Sequence, residues 1–137
     1  MDINAEELMT ADVVTVSEET TLAGALAVMQ EKGIRHLPVV RGERLVGMLS
    51  DRDLQSLGLR LVVDIESLER LESKLNADVG SVMSTELITI TSVTDVNEII
   101  DLLVEEQVGA IPVVEGENLI GIVSYVDVLR AVREQLD

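Results

Sequence analysis

Cysteine, phenylalanine and tryptophan are all missing from this chain, and Tyr125 is its one aromatic residue. Without cysteine there is no disulfide, no thiolate zinc site and no thiol nucleophile. Without aromatic rings a core must be built from Val, Ile, Leu, Met and Ala, and single-stranded bases find no stacking platform. Positive charge is scarce too: 10 basic residues stand against 26 acidic ones, a formal net charge of −16. That balance excludes the basic footprint of a DNA or RNA binder and disfavours an anionic membrane surface. No apolar run reaches the roughly 18 residues of a membrane span. The opening Met1-Asp2-Ile3-Asn4-Ala5-Glu6-Glu7 lacks the basic start of a secretory leader, so a soluble cytoplasmic protein is expected.

What the chain does have is a repeat. Residues 38–53, Pro-Val-Val-Arg-Gly-Glu-Arg-Leu-Val-Gly-Met-Leu-Ser-Asp-Arg-Asp, return at 112–127 with no gap and nine of sixteen positions identical. The repeat extends upstream, where Leu8-Met9-Thr10 matches Val82-Met83-Ser84 and Val14-Thr15-Val16 matches Ile88-Thr89-Ile90. A unit of roughly 60 residues buries little surface by itself, so the two copies are expected to share a core.

Within each copy the apolar spacing changes character. Leu22, Ala25, Leu26 and Met29, like Val96, Ile99, Ile100 and Leu103, lie on one helical face, with Thr20 and Thr94 at the expected N-cap. The helices should end near Gly33 and Gln107. Strands are predicted over Leu37–Val40 and Leu45–Leu49, and over Ile111–Val114 and Leu119–Val123, joined by tight turns at Gly42 and Gly116. Ser50 and Ser124 then open a second helix. Between the copies, Leu68, Leu71 and Leu75 mark one face of a connecting helix. The expected organisation is a first repeat over 1–60, a connecting helix over 61–78 and a second repeat over 79–137.

Packing accounts for repeated glycines and apolar residues, but not for the return of Ser50 and Asp53 as Ser124 and Asp127. Ser-x-x-Asp at a strand-to-helix junction has a structural explanation, a capping box. Against it, both copies carry Asp where Glu or Gln is usual, and Gly47 and Gly121 precede the motif, where a missing side chain would let a ligand approach.

These residues resemble the cystathionine-β-synthase (CBS) domain family, in a tandem pair covering about Ala5 to Arg133. The pattern Gly-apolar-apolar-Ser-x-x-Asp is that family's ribose-binding signature. The resemblance implies an α/β (α+β) fold of two pseudo-symmetric β-α-β-β-α repeats, packed through their small sheets into one module. It also implies two clefts for adenosyl ligands. Ser50, Asp53, Ser124 and Asp127 would hold ribose; an ionised Asp accepts hydrogen bonds only and suits vicinal hydroxyls. Val14, Thr15, Ile34 and Pro38, with Ile88, Thr89, Val108 and Pro112, would surround adenine.

The two copies differ just before the proline. The first has Gly33-Ile34-Arg35-His36-Leu37, the second Gln107-Val108-Gly109-Ala110-Ile111. Related nucleotide-sensing CBS proteins place basic residues there, so the resemblance assigns Arg35, His36 and Arg52 to phosphate. A site reached by Arg35 and His36 would take AMP, ADP or ATP; the other suits S-adenosylmethionine or a similar ligand.

Neither a Gly-x-x-x-x-Gly-Lys-Ser/Thr phosphate loop nor a Gly-x-Ser-x-Gly elbow occurs, and no metal-ligand spacing appears. These absences argue against an enzyme, and the resemblance implies a regulatory ligand-sensing module. It would use an adenosyl nucleotide as regulatory ligand with no cofactor, form a homodimer and act on a protein target. The alternative is a structural dimerisation module whose clefts stay empty.

Overall fold

A computed structural model describes residues 2–56 and 72–136. In chain order the elements are α1 (Ala5–Leu8), α2 (Leu22–Lys32), β1 (His36–Arg41), β2 (Arg44–Ser50), α3 (Asp51–Ser56), a 3-10 turn (Val79–Ser81), α4 (Val96–Glu105), β3 (Ala110–Glu115), β4 (Asn118–Ser124) and α5 (Tyr125–Leu136). Residues 72–75 are helical. Residues 76–78, where the connecting helix was expected to continue, are not helical, and 61–71, Leu68 and Leu71 included, lie outside the described residues. No described helix is long and apolar enough to cross a membrane.

The chain divides into two compact units. One comprises Val14–Gly42 and Val46–Leu87; the other comprises Met1–Val13, Glu43–Leu45 and Ile88–Asp137. Each therefore contains the main body of one repeat and the opening segment of the other.

In the first-repeat unit, α2 starts one residue later than the spacing predicts. Thr21, not Thr20, is the N-cap, and its hydroxyl accepts the Gly24 N–H at 3.1 Å. Thr20 instead closes the preceding turn, accepting the Ser17 N–H at 3.2 Å. In the second-repeat unit Asp95 caps α4 through the Asn97 N–H at 2.9 Å, while Thr94 accepts from Thr91 N–H at 3.0 Å. Two adjacent cap-competent residues in each copy make the boundary ambiguous by one position.

Gly33 ends α2 at φ +66°, the left-handed conformation that costs glycine little. Gln107 takes the matching place after α4 at φ +54°. The hairpins β1–β2 and β3–β4 turn at Gly42 and Gly116, with φ of +65° and +64°. A positive φ confined to the first central residue is the II′ pattern, which matches the twist of paired strands. Along β2, burial alternates strictly, with Leu45, Gly47 and Leu49 inward. The opening strand that the β-α-β-β-α order implies contracts to one parallel bridge in each repeat, Val16 to Val39 and Ile90 to Val113.

Each unit has a cluster of buried residues of its own among the described residues. Their buried residues fall into two clusters, one of Val16, Leu22, Ala25, Met29, Leu37, Val39, Leu49, Leu54 and Val79, the other of Ala5, Ile90, Val96, Ile99, Ile111, Val113, Val123 and Val128. Each cluster is completed by a residue from the opposite repeat's opening, Val79 in one and Ala5 in the other, both fully buried. The backbone does the same. Val79 N–H donates to Thr20 C=O at 2.8 Å and Leu22 N–H to Ala77 C=O at 2.9 Å; Ala5 N–H donates to Thr94 C=O at 2.9 Å and Val96 N–H to Ile3 C=O at 2.8 Å. A small repeat thus reaches a sufficient core by borrowing a segment.

Candidate functional site

Each candidate site lies within one unit and is built on a strand-to-helix junction. In the first-repeat unit, β2 ends at Ser50 and α3 begins at Asp51. Asp53 Oδ2 accepts the Ser50 N–H at 2.7 Å and the Ser50 hydroxyl at 3.1 Å, while the Asp53 N–H donates to Ser50 Oγ at 3.3 Å. The second-repeat unit repeats this between Ser124 and Asp127, at 2.8, 3.0 and 3.2 Å. Both motifs are closed capping boxes.

This arrangement changes what the motif has left to offer. Of each carboxylate, Oδ2 is occupied, and Oδ1 has no hydrogen-bond partner among the described residues. Each serine hydroxyl spends its proton on the aspartate and one lone pair on the helix backbone, leaving one lone pair. Asp53 and Asp127 therefore present one free oxygen each, not the two that a bidentate grip on vicinal hydroxyls uses. Both residues are half-buried.

The motif glycines have a different purpose from the one their spacing implied. A Cβ on Gly47 would collide with Sδ of Met83 and lie 2.9 Å from its Cγ; one on Gly121 would meet Met9 in the same way. The missing side chains seat methionines from the opening segments, held by bridges between Ser84 and Met48 and between Thr10 and Ile122. The recurrence of Met9 as Met83 was the available signal.

Around the junction, the segment before the proline is tied to the helix start. Asp51 N–H donates to Arg35 C=O at 2.8 Å, and Tyr125 N–H to Gly109 C=O at 3.1 Å. Pro38 and Pro112 are buried, Ile34, Val108, Val14 and Ile88 are half-buried, and Thr15 and Thr89 are exposed. The Pro38 C=O accepts the Val16 N–H at 3.1 Å, and the Pro112 C=O accepts the Ile90 N–H at 3.1 Å. The backbone N–H and C=O of Thr15 and Thr89 make no hydrogen bond among the described residues.

The first unit brings its basic residues together. Burial pushes the half-buried imidazole of His36 below its ordinary value of 6.5; the Arg35 charge acts the same way, Asp51 opposes it, Arg52 adds to it and Asp53 opposes it. Burial and Arg35 thus favour the neutral imidazole, and the fixed positive charges of the cluster are Arg35 and Arg52. Arg35 is exposed, and its guanidinium has no ion-pair partner among the described residues. In the second unit the corresponding place is taken by buried Ala110, paired across the hairpin with Ser124. Asp51, which sequence reasoning passed over, belongs to the first cluster. Among the described residues no group of His, Asp or Glu has the geometry of a metal site.

A family model described as the CBS domain matches residues 5–59 and 79–134. The chain belongs to the CBS-domain family. It is 30% identical over 131 residues to hypoxic response protein 1 of Mycobacterium tuberculosis, covering 95% of this chain and 85% of that one. It is 32% identical over 132 residues to the uncharacterized protein MJ1225 of Methanocaldococcus jannaschii, where 91% of this chain spans only 47% of the relative. Among solved structures, CBSX2 in complex with AMP superposes with a TM-score of 0.82 at 29% identity, over 98% of both chains. The two CBS repeats and their mixed α/β fold agree with the reading from sequence.

Proposed function

We propose that this CBS pair is a regulatory module that binds adenosine-containing ligands, with AMP, ADP or ATP preferred at the first-repeat site. The carrying observation is the division of each motif carboxylate: Oδ2 holds the helix start, and Oδ1 is left over beside it. An anionic oxygen with no partner suits a ribose hydroxyl, and a charge-assisted hydrogen bond of that kind contributes about 1.5–3 kcal/mol. The backbone edges of Thr15 and Thr89, without partners among the described residues, suit the hydrogen-bonding edge of adenine, with Ile34 or Val108 against its face. The AMP complex of CBSX2 supports the same ligand class.

Arg35, Arg52 and His36 favour a phosphate at the first site. The second, with Gly109, Ala110 and Val126 in their places, favours a neutral or cationic adenosyl compound such as S-adenosylmethionine. Ligand binding would shift a protein target through differing affinity for two arrangements of the module. Cytoplasmic location, homodimer formation and a non-catalytic role belong to the same proposal.

Thermal unfolding with AMP, ATP, adenosine and S-adenosylmethionine tests it. A ligand at about 100 times its Kd stabilises by about 2.7 kcal/mol, or roughly 5–10 °C for a chain of this size. Asp53→Ala should abolish the AMP shift and Asp127→Ala should spare it. Unchanged unfolding with all four compounds would leave the second reading, an interaction module whose motif only caps helices. The closed capping boxes favour that reading, as do the exposed apolar side chains of Tyr125 and Leu129 on α5.

A further inference from the structure

Position 36 is where the two repeats share a backbone and part in chemistry. In the second repeat Ala110 lies across the hairpin from Ser124. In the first, His36 opens β1 and Ser50 closes the neighbouring β2, the same places 74 residues earlier. An imidazole thus stands where its twin has a methyl group, at the strand position whose counterpart pairs with the capping-box serine.

The charges that face His36 come from two elements, tied together where the Asp51 N–H donates to the Arg35 C=O at 2.8 Å. Arg35 lies on its own segment, and Asp51, Arg52 and Asp53 lie on the first turn of α3. Among the described residues these are two cations and two anions. A phosphate monoester carries about −1.5 to −2 charge near neutral pH and makes such a neighbourhood strongly negative. A neutral imidazole is the one group there that can answer between pH 5 and 8, by accepting a proton.

Resting on the adenosine-ligand reading above, we propose that the first-repeat site is a proton-linked phosphate site: AMP enters together with a proton held on His36, whereas adenosine enters alone. The repeat with Ala110 has no such group at that place, so ligand entry there takes up no proton. His36 is then a specificity-determining residue that favours phosphorylated over unphosphorylated ligands, more strongly as the medium acidifies. The AMP affinity of the first site should rise as pH falls from 8 to 6.5, by at most about tenfold per pH unit for one linked proton. Below about pH 6 the phosphate's own second protonation weakens the effect.

The chain has a single histidine, which makes the test direct. The imidazole C–H resonances of the whole, unmutated protein are followed by NMR from pH 5 to 8.5, alone, with saturating adenosine and with saturating AMP. The titration midpoint should move upward with AMP and stay in place with adenosine. Calorimetry in buffers of different ionisation enthalpy should show proton uptake with AMP that His36→Gln removes. Saturable AMP binding with an unmoved imidazole midpoint overturns the proton linkage and leaves the ligand reading intact. Absence of any saturable AMP response at every pH overturns the ligand reading, and the linkage with it.

Discussion

The two motif junctions have nearly superimposable hydrogen bonding and contrasting charge. In both, a serine and an aspartate close a capping box, and a carbonyl from the segment before the proline accepts the first N–H of the helix. Because that segment serves the fold through its backbone, its side chains are free to differ: Arg35 and His36 on one side, Gly109 and Ala110 on the other. The duplicated features report architecture; in the function proposed above, the unduplicated ones set what each site selects.

The glycine seats are the sharpest place to break this comparison. Gly121→Ala and Gly47→Ala should each destabilise by about 1–3 kcal/mol through overpacking, measured by urea unfolding. Gly121→Ala should be the worse, because the added methyl lies 3.1 Å from Met9 Cβ, near the backbone, whereas Met83 is crowded at its mobile Cε at 3.2 Å. Pairing Gly47→Ala with Met83→Ala should recover part of the loss.

Next in size are the caps. Asp53→Ala and Asp127→Ala should cost similar stability, about 0.5–2 kcal/mol each. Equal losses in stability with unequal losses in AMP binding would confirm that the fold treats the sites alike and the ligand does not. A third contrast concerns the helix ends. Gln107→Gly should stabilise by up to about 1 kcal/mol, since glycine takes a positive φ without strain, and Gly33→Gln should do the reverse.

The smallest effect is confined to a narrow pH range. His36 is held below its ordinary value, so the unfolded chain binds that proton more tightly. Its contribution to stability is complete above about pH 6.5 and is lost as pH falls through the window below it. The Tm of the wild type should therefore drop relative to His36→Gln between pH 7 and pH 5. Parallel curves would place the imidazole in ordinary solvent.

The hairpins, the helix faces and the position of Ser-x-x-Asp were legible in the sequence because each depends on spacing over a few residues. The N-caps were missed by one position, because Thr20-Thr21 and Thr94-Asp95 each offer two competent side chains in a row. The role of Gly47 and Gly121 was not legible from the motif alone. Their partners, Met83 and Met9, lie 36 and 112 residues away, and no local periodicity connects such positions. Likewise, the lowered affinity of His36 for protons comes first from burial, which only the folded chain provides, and then from its chain neighbour Arg35.

The borrowed opening segments mean that the seam between the duplicated sequences is not a seam in the folded protein. A polypeptide cut between the copies would part Val79 from the first core and Ala5 from the second, so neither half would inherit a finished interior. Residues 14–87, by contrast, contain both stretches of one compact unit, Val14–Gly42 and Val46–Leu87, interrupted only by Glu43–Leu45. Any attempt to dissect the molecule should place its scissors there.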